Sequence, residues 1–149
     1  MITALNVVTT VCIGLLIGTE FSVSVFINPV LLRLDEAARS QTTRMFAKRL
    51  GTAMPFWYAA SLLLLIAEAI VHRHEPVEML LITASAIWAA VIIVTILVLV
   101  PINNKMMQLP SDAFPADAQR QHQKWEMLHR LRVVALTAAM ICWLIAIGV

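Results

Sequence analysis

Residues 77–100 read VEMLLITASAIWAAVIIVTILVLV, an apolar run whose single charged residue is Glu78. A helix of this length can span a bilayer, because the roughly 30 Å hydrocarbon core needs about 20 mostly apolar residues. Hydrophobic residues make up 60% of the 149-residue chain and charged residues 13%, against about 25% charged residues in soluble domains. The run therefore predicts a transmembrane helix in a chain whose main solvent is lipid.

Three similar runs lie at about residues 5–27, 53–71 and 133–149. None shows the two-residue alternation of a barrel strand, and lipid leaves no backbone group unpaired, so each run predicts a helix. The first run lacks a preceding lysine or arginine and a small-residue cleavage site, which argues against a signal peptide. The sequence predicts an all-α protein with one domain, residues 1–149, folded as a four-transmembrane-helix bundle.

Lysine and arginine are distributed unevenly between the connecting segments. Residues 28–52 and 101–132 together carry ten of the eleven basic residues, and the segment between spans two and three carries only Arg73. Because positive charge near helix ends is retained in the cytoplasm, we expect both long connections inside and both termini outside. We expect the bilayer of a bacterial cytoplasmic membrane as the partner, and no nucleic acid, since topology already accounts for the basic residues.

The two long connections differ in character. Between residues 30 and 50, apolar residues recur at broadly helical spacing, which predicts a short interfacial helix. The second connection contains Pro101, Pro110 and Pro115, which predicts a turn-rich, non-helical first half. No helix-breaking residue follows Pro115, so helix four should begin near Ala116 and continue into the membrane.

Glu20 is the polar residue that most requires an explanation. It lies eight residues before Asn28, about 12 Å inside the helix end at 1.5 Å per residue. A charged side chain near a helix centre costs about 2.5–3.5 kcal/mol, so Glu20 should face the bundle interior and have a partner. A buried hydrogen bond that fixes helix packing is the structural alternative, whereas intramembrane carboxylates often serve proton or substrate chemistry.

A different face of the first span carries small or polar residues at every fourth position, namely Asn6, Thr10, Gly14, Gly18 and Ser22. Such a face lets another helix approach closely, either within the chain or in a second copy of it. Glu20 points about 200° away from Gly18 at 100° per residue, so it lies on another side. We therefore expect packing, and a possible homo-oligomer, through Gly14 and Gly18.

Trp125, His129 and Arg132 share one side of helix four, since they are spaced i, i+4 and i+7. Interfacial anchoring explains Trp125 and Arg132 taken singly. Asn103 and Asn104 follow span three on the same side of the membrane. We expect antiparallel helices to gather these residues and Glu20 around one polar pocket.

Trp88 lies near the middle of span three, far from the interfaces where tryptophan is enriched. It is a candidate wall for a lipophilic site, with core packing as the alternative. Glu126 and His129 form one Glu-x-x-His unit, but a di-iron bundle needs a second unit that this sequence lacks. Glu126 also lies four residues before Arg130, which favours a surface ion pair, so we predict no metal and no evident cofactor.

Three motifs fall in order along the chain: Gly18-Thr19-Glu20 with Asn28-Pro29, then Pro101-Ile102-Asn103-Asn104, then Trp125-x-x-x-His129-x-Leu131-Arg132. Together they resemble the anthrone oxygenase-like family of small four-helix membrane proteins, over essentially the whole chain. The resemblance implies an oxygenase that acts on a flat lipophilic phenol with dioxygen as co-substrate. It also implies that Glu20 or His129 is the base and that Asn103, Trp125 and Arg132 donate hydrogen bonds.

Two other functions are compatible with the residues. A proton-coupled exporter of lipophilic compounds also has four helices and a carboxylate in the first helix, but such exporters commonly form antiparallel dimers with little charge bias, unlike this chain. A non-catalytic accessory subunit would use the polar cluster only to hold the helices together.

Overall fold

The computed structural model describes residues 2–110 and 112–148, and these form four long helices. The helices are α1 (Ile2–Leu31), α2 (Glu36–Val71), α3 (Glu78–Met106) and α4 (Ala116–Ala146), each long and apolar enough to span a membrane. No strand occurs in the described ranges. The predicted all-α, four-helix membrane fold is confirmed. The predicted end of span four, Val149, lies outside the described residues.

Each helix packs against the next along the chain, and α4 returns to contact α1, so the four helices form a closed ring. The centre of the bundle is filled by large apolar side chains that are fully buried, among them Leu16, Leu65, Trp88, Leu136 and Trp143. Large apolar side chains also cover the outside, such as Phe56, Leu97 and Leu131. An apolar exterior around an apolar core is what a lipid solvent requires.

The segment predicted as a separate interfacial helix is helical but continuous with the second span. Asp35 caps the start of α2, because its side chain accepts a hydrogen bond from the backbone N–H of Ala38 at 2.9 Å. The helix then passes through Pro55 without a break. Membrane helices tolerate such prolines where neighbouring helices and local adjustments satisfy the freed carbonyl.

The second connection is shorter than predicted, because α3 continues through Pro101 to Met106. The prediction of a non-helical first half is therefore wrong for residues 101–106, which are helical. A wide π-turn over Thr95–Leu99 precedes Pro101, and an equivalent π-turn over Val23–Ile27 precedes Pro29 in α1. Widening the turn relieves the clash between a proline ring and the preceding carbonyls, so the helix bends and does not end. The start of α4 at Ala116 agrees with the prediction.

No helix backbone approaches the two glycines of α1 within the described part of the chain. A Cβ atom on Gly14 would meet only the terminal methyl of Met140, at 3.7 Å, and one on Gly18 would meet nothing within 4 Å. Side chains of α4 do reach this face, since the indole of Trp143 donates to the hydroxyl of Thr10 at 3.2 Å, but the close backbone approach predicted at the glycines does not occur among the described residues. Association of two copies through it stays a prediction.

The two ends of the bundle differ in charge. We call the end formed by residues 28–52 and 101–132 the basic end, since it holds ten of the eleven lysines and arginines. The short connection between α2 and α3 lies at the opposite end. Which end faces the cytoplasm stays a prediction from the charge bias.

Candidate functional site

An ion pair between Glu20 and Arg132 joins α1 to α4 inside the bundle. Nη2 of Arg132 donates to Oε2 of Glu20 at 2.6 Å. The side chain of Glu20 is only 3% exposed and that of Arg132 only 10%. The two residues are 112 positions apart in the chain. Arg132 and His129 both approach this carboxylate at Oε2, and the hydroxyl of Tyr58 lies close to the same carboxylate.

His129 completes the cluster and is held at both ring nitrogens. Its Nε2 lies 3.0 Å from the backbone carbonyl of Glu20, and its Nδ1 lies 2.7 Å from Nη2 of Arg132. Because a guanidinium can only donate, Nδ1 must accept, and Nε2 must then carry the proton that is donated to the carbonyl. Nδ1 also lies 3.1 Å from Oε2 of Glu20. Glu20 and His129 therefore share one site, as predicted.

This cluster forms part of the wall of a cavity of about 280 Å³ between the four helices. We call it the main cavity. Its walls are mostly apolar, and each helix contributes to them. They comprise Thr19, Glu20, Val23, Leu50, Gly51, Met54, Pro55, Tyr58, Ala59, Ile92, Thr95, Ile96, Val100, Asn103, Trp125, His129 and Arg132. The volume is close to the lower bound of the roughly 300–1,000 Å³ that small-molecule sites occupy.

A column of rings fixes the α4 side of the main cavity. The indole of Trp125 stacks on the imidazole of His129 with centroids 4.6 Å apart and planes 10° apart. On its other face lies His122, at 6.0 Å and 17°. The ring of Phe114 meets His122 edge-on at 6.2 Å. Stacking of this kind limits ring rotation and so holds the nitrogen atoms in place.

Comparison with known proteins decides the relationship of the chain. A family model described as anthrone oxygenase matches residues 42–142, more than half of the sequence. The chain belongs to the anthrone oxygenase family. No curated protein and no solved structure matches it. The matched residues include Tyr58, Asn103 and the three cavity residues of α4. The match begins after α1, so Glu20 is placed in the site by the structure and not by the family model.

Not every residue predicted for the site of this family member lies in it. Asn103 lines the main cavity, but Asn104 is exposed and does not. Trp88 is fully buried, and its indole nitrogen donates to the backbone carbonyl of Tyr58 at 3.2 Å. It lies behind the wall that Tyr58 forms. The predictions that Asn104 and Trp88 line the pocket are therefore wrong.

Two cavity residues beside Arg132 were not predicted from the sequence. Tyr58 is buried, its ring lies 5.7 Å from the guanidinium carbon of Arg132, and its hydroxyl lies near the carboxylate of Glu20 without a hydrogen bond of good geometry among the described residues. Thr95 accepts a long hydrogen bond of 3.4 Å from Nη1 of Arg132. The predicted start of span two at about residue 53 places Tyr58 near the membrane interface, where tryptophan and tyrosine are common, whereas α2 begins at Glu36.

A second buried carboxylate, Glu68, lies near the opposite end of the bundle. It is fully buried and accepts a hydrogen bond of 2.8 Å from the hydroxyl of Thr9. His72 approaches it at 3.7 Å. Among the described residues, Glu68 is not one of those that line the main cavity. It therefore ties α1 to α2 at this end.

A smaller cavity of about 50 Å³ adjoins the main cavity on the side of the basic end, and we call it the small chamber. The two share Val23, Leu50, Asn103 and Trp125. The other residues that line the small chamber are Ile27, Asn28, Leu31, Thr43, Phe46, Ala47, Met106 and His122. Trp125 and Asn103 thus lie between the two cavities.

Proposed function

We propose that this protein is a membrane-embedded oxygenase for a lipophilic aromatic molecule with an activated ring methylene, as in an anthrone. The observation that carries the proposal is the buried cluster of Glu20, His129 and Arg132 on the wall of an otherwise apolar cavity. An apolar cavity with a few convergent polar groups is typical of small-molecule sites. Membership of the anthrone oxygenase family supports the same chemistry.

The first step is removal of a proton from the ring methylene. We assign it to Glu20, because Oε1 is the carboxylate oxygen that the cluster does not use. Both nitrogens of His129 are engaged, so we assign that ring to positioning Glu20 and Arg132. A well-placed general base accelerates such a step by roughly 10²- to 10⁴-fold.

The second requirement is stabilisation of the enolate that forms. Arg132 supplies a positive charge, and Asn103 supplies an amide on the facing helix. The hydroxyl of Tyr58 and the indole N–H of Trp125 are donors without partners among the described residues. Donors held in a water-poor site stabilise developing negative charge strongly, because they need not reorganise.

The oxidation then balances with dioxygen alone. The carbanion form of the enolate bonds to one oxygen atom of dioxygen, and a proton completes a hydroperoxide. Loss of the second methylene proton forms the carbonyl as the O–O bond breaks, and the hydroxide that leaves is protonated to water. One oxygen atom enters the substrate and the other becomes water, with all four electrons drawn from the methylene carbon.

The substrate reaches the cavity from the bilayer in this proposal. The cavity residues that are exposed are Gly51, Pro55 and Ala59 on α2 and Ile96 on α3. The small residues of α2 recur every fourth position, so they share one face and leave room beside α3. A molecule dissolved in lipid can therefore enter between these helices without crossing water.

Replacing Glu20 with glutamine tests the proposal. Glu20→Gln keeps the size and most hydrogen bonding of the side chain but cannot accept a proton, so oxidation of anthrone in membranes should fall by roughly 10²- to 10⁴-fold. The thermal midpoint in detergent should fall less than in Glu20→Leu, because the amide oxygen of glutamine can still accept a hydrogen bond from Arg132. Glu126 forms the predicted ion pair with Arg130 but also acts electrostatically on His129, so the matched control is Glu75→Gln, whose carboxylate contacts His72 at the opposite end of the bundle.

Full activity in Glu20→Gln would contradict the assignment and leave the cluster as a packing device. The exporter is indicated by a different pair of results. Cells carrying Glu20→Gln would lose resistance to a toxic lipophilic compound, and the unaltered protein would not oxidise anthrone.

A further inference from the structure

A further cavity of about 280 Å³ lies between α3 and α4 and opens to the outside of the bundle. We call it the outer groove, and it is lined by residues between Ile87 and Leu99 on α3 and between Leu128 and Ala135 on α4. Eight of its ten lining residues are apolar. Val94 and Leu131 on its rim are exposed, so the outer groove faces the space that lipid fills around a membrane bundle.

The dimensions of the outer groove limit what can fill it. Ile87 and Leu99 are twelve positions apart, which makes the α3 wall about 18 Å long at 1.5 Å per residue. One leaflet of the hydrocarbon core is about 15 Å thick. The volume divided by this length gives a mean cross-section of about 16 Å², whereas a helix about 10 Å across needs roughly 80 Å². The outer groove therefore suits a single hydrocarbon chain and is too narrow for a partner helix.

Two small side chains leave this space between the helices. Ala90 on α3 and Ala135 on α4 both line the outer groove, and neither lines the main cavity. A larger residue at either position would fill the outer groove from one side. The space can therefore be closed by a single substitution that leaves the walls of the main cavity unchanged.

A lysine lies in line with the outer groove on α4. It belongs to a stripe of residues spaced by four, three and four positions, namely Lys124, Leu128, Leu131 and Ala135. Lys124 is exposed and forms no ion pair among the described residues. It lies one turn, about 6 Å, beyond Leu128 toward the basic end. A phosphate attached to a chain in the outer groove would lie at this level, within reach of a long lysine side chain.

Another lysine separates this alignment from the general charge of the basic end. Positive charge at that end is explained by topology alone, and Lys105 on α3 is exposed there as well. Lys105 lies six residues after Leu99, about 240° round the helix, so it points away from the outer groove. Lys124 and Lys105 thus differ in whether they extend the groove.

We infer that the outer groove binds one acyl chain of an anionic phospholipid whose phosphate pairs with Lys124. Arg132 and Thr95 line both the outer groove and the main cavity. The bound chain therefore lies against the outer side of the wall that holds Arg132. This site goes beyond the proposed function, because binding of the lipid requires neither a substrate nor oxidation.

Native mass spectrometry of the full chain in detergent tests the headgroup. The probes are a phosphatidylglycerol and a phosphatidylcholine with identical acyl chains. One phosphatidylglycerol should bind roughly fivefold more tightly than phosphatidylcholine, the ratio expected for one basic residue near an anionic lipid. Lys124→Gln should abolish this preference, whereas Lys105→Gln should keep it. Equal affinity of the unaltered protein for the two lipids, or an equal loss of preference in both variants, would overturn the inference.

Closing the outer groove tests the place of the acyl chain. Ala135→Leu should weaken the binding of both lipids several-fold, and Ala90→Leu should do the same from α3 should the first variant fail to fold. Ala138→Leu is the control, because Ala138 is exposed one turn further along α4 and does not line the outer groove.

Lipid binding by the groove variants as tight as that of Ala138→Leu would overturn the inference. Neither measurement uses a substrate, so the outcome is separate from that of Glu20→Gln. A preference for phosphatidylglycerol that depends on Lys124, together with full activity of Glu20→Gln, would leave the lipid site standing and contradict the catalytic assignment.

Discussion

The ion pair between Glu20 and Arg132 predicts strongly non-additive effects on stability. Glu20→Leu would leave the guanidinium buried with only His129 and Thr95 as partners. Arg132→Met would leave the carboxylate buried beside the unprotonated Nδ1 of His129, which cannot donate to it. Replacing both residues removes both charges at once. We therefore expect the double variant to be more stable than either single variant.

The burial of the pair sets the magnitude. Both side chains are at least nine-tenths buried, so solvent screening is weak, and removing one partner of such a pair costs about 3–5 kcal/mol. We expect about 3 kcal/mol for Glu20→Leu, the lower bound, since Arg132 keeps its contact with His129. At roughly 2–4 °C per kcal/mol for a chain of this size, the midpoint should fall by roughly 6–12 °C.

The double variant Glu20→Leu/Arg132→Met should lie within about 2 kcal/mol of the unaltered protein, because it strands only Nδ1 of His129. The assay is unfolding of the four proteins in one detergent by heat and by graded addition of a denaturing detergent. Destabilisation of the double variant by the sum of the two single effects would refute the reasoning. That result would mean that each side chain is held by separate contacts.

Three further predictions concern access, orientation and the second carboxylate. Ala59→Phe should narrow the opening between α2 and α3 and so slow the association of an anthraquinone, measured by tryptophan quenching in proteoliposomes. Ala60→Phe is the control and should leave the association rate unchanged, because Ala60 is exposed but does not line the cavity. In a cysteine-free background, Glu75→Cys should react with an impermeant thiol reagent in intact cells, and Asp117→Cys should react only after lysis; the reverse pattern would invert the topology. Glu68→Leu should destabilise the bundle by about 1–3 kcal/mol by stranding its buried donor, with unchanged anthrone oxidation per folded molecule; normal stability would show that its hydrogen bond contributes little.

The number and depth of the spans could be predicted from composition, because lipid imposes both length and polarity on a helix. The continuity of α2 through Pro55 and of α3 through Pro101 could not be. A proline removes one backbone donor, and whether the helix ends or bends there depends on neighbours that only the fold supplies. The start of α4 at Ala116 was accessible because nothing after Pro115 competes with the helix.

The core of the site could also be predicted, since Glu20, His129 and Arg132 each needed a buried partner at similar depth. Asn104 was misplaced for the same reason as the connection around it. Because α3 continues helically through Pro101, Asn104 lies about 100° from Asn103 and faces outward. Trp88 shares a face with Thr95 seven residues later but lies about two turns deeper, beyond the ring of Tyr58.

Each π-turn acts as one inserted residue in an otherwise regular helix, and this changes which side chains share a face. Glu20 and Asn28 are eight residues apart, as are Thr95 and Asn103, and each interval contains a π-turn. In a regular helix eight residues would leave each pair about 80° apart, whereas subtracting one residue brings each pair within about 20° of alignment. The inward direction of Asn28 and Asn103 thus depends on the number of residues that separate each from Glu20 and Thr95, respectively. By the same arithmetic, deleting one residue would turn the π-turn into a regular turn and keep the asparagine within about 20° of its direction, whereas deleting two would rotate it away by about 100°.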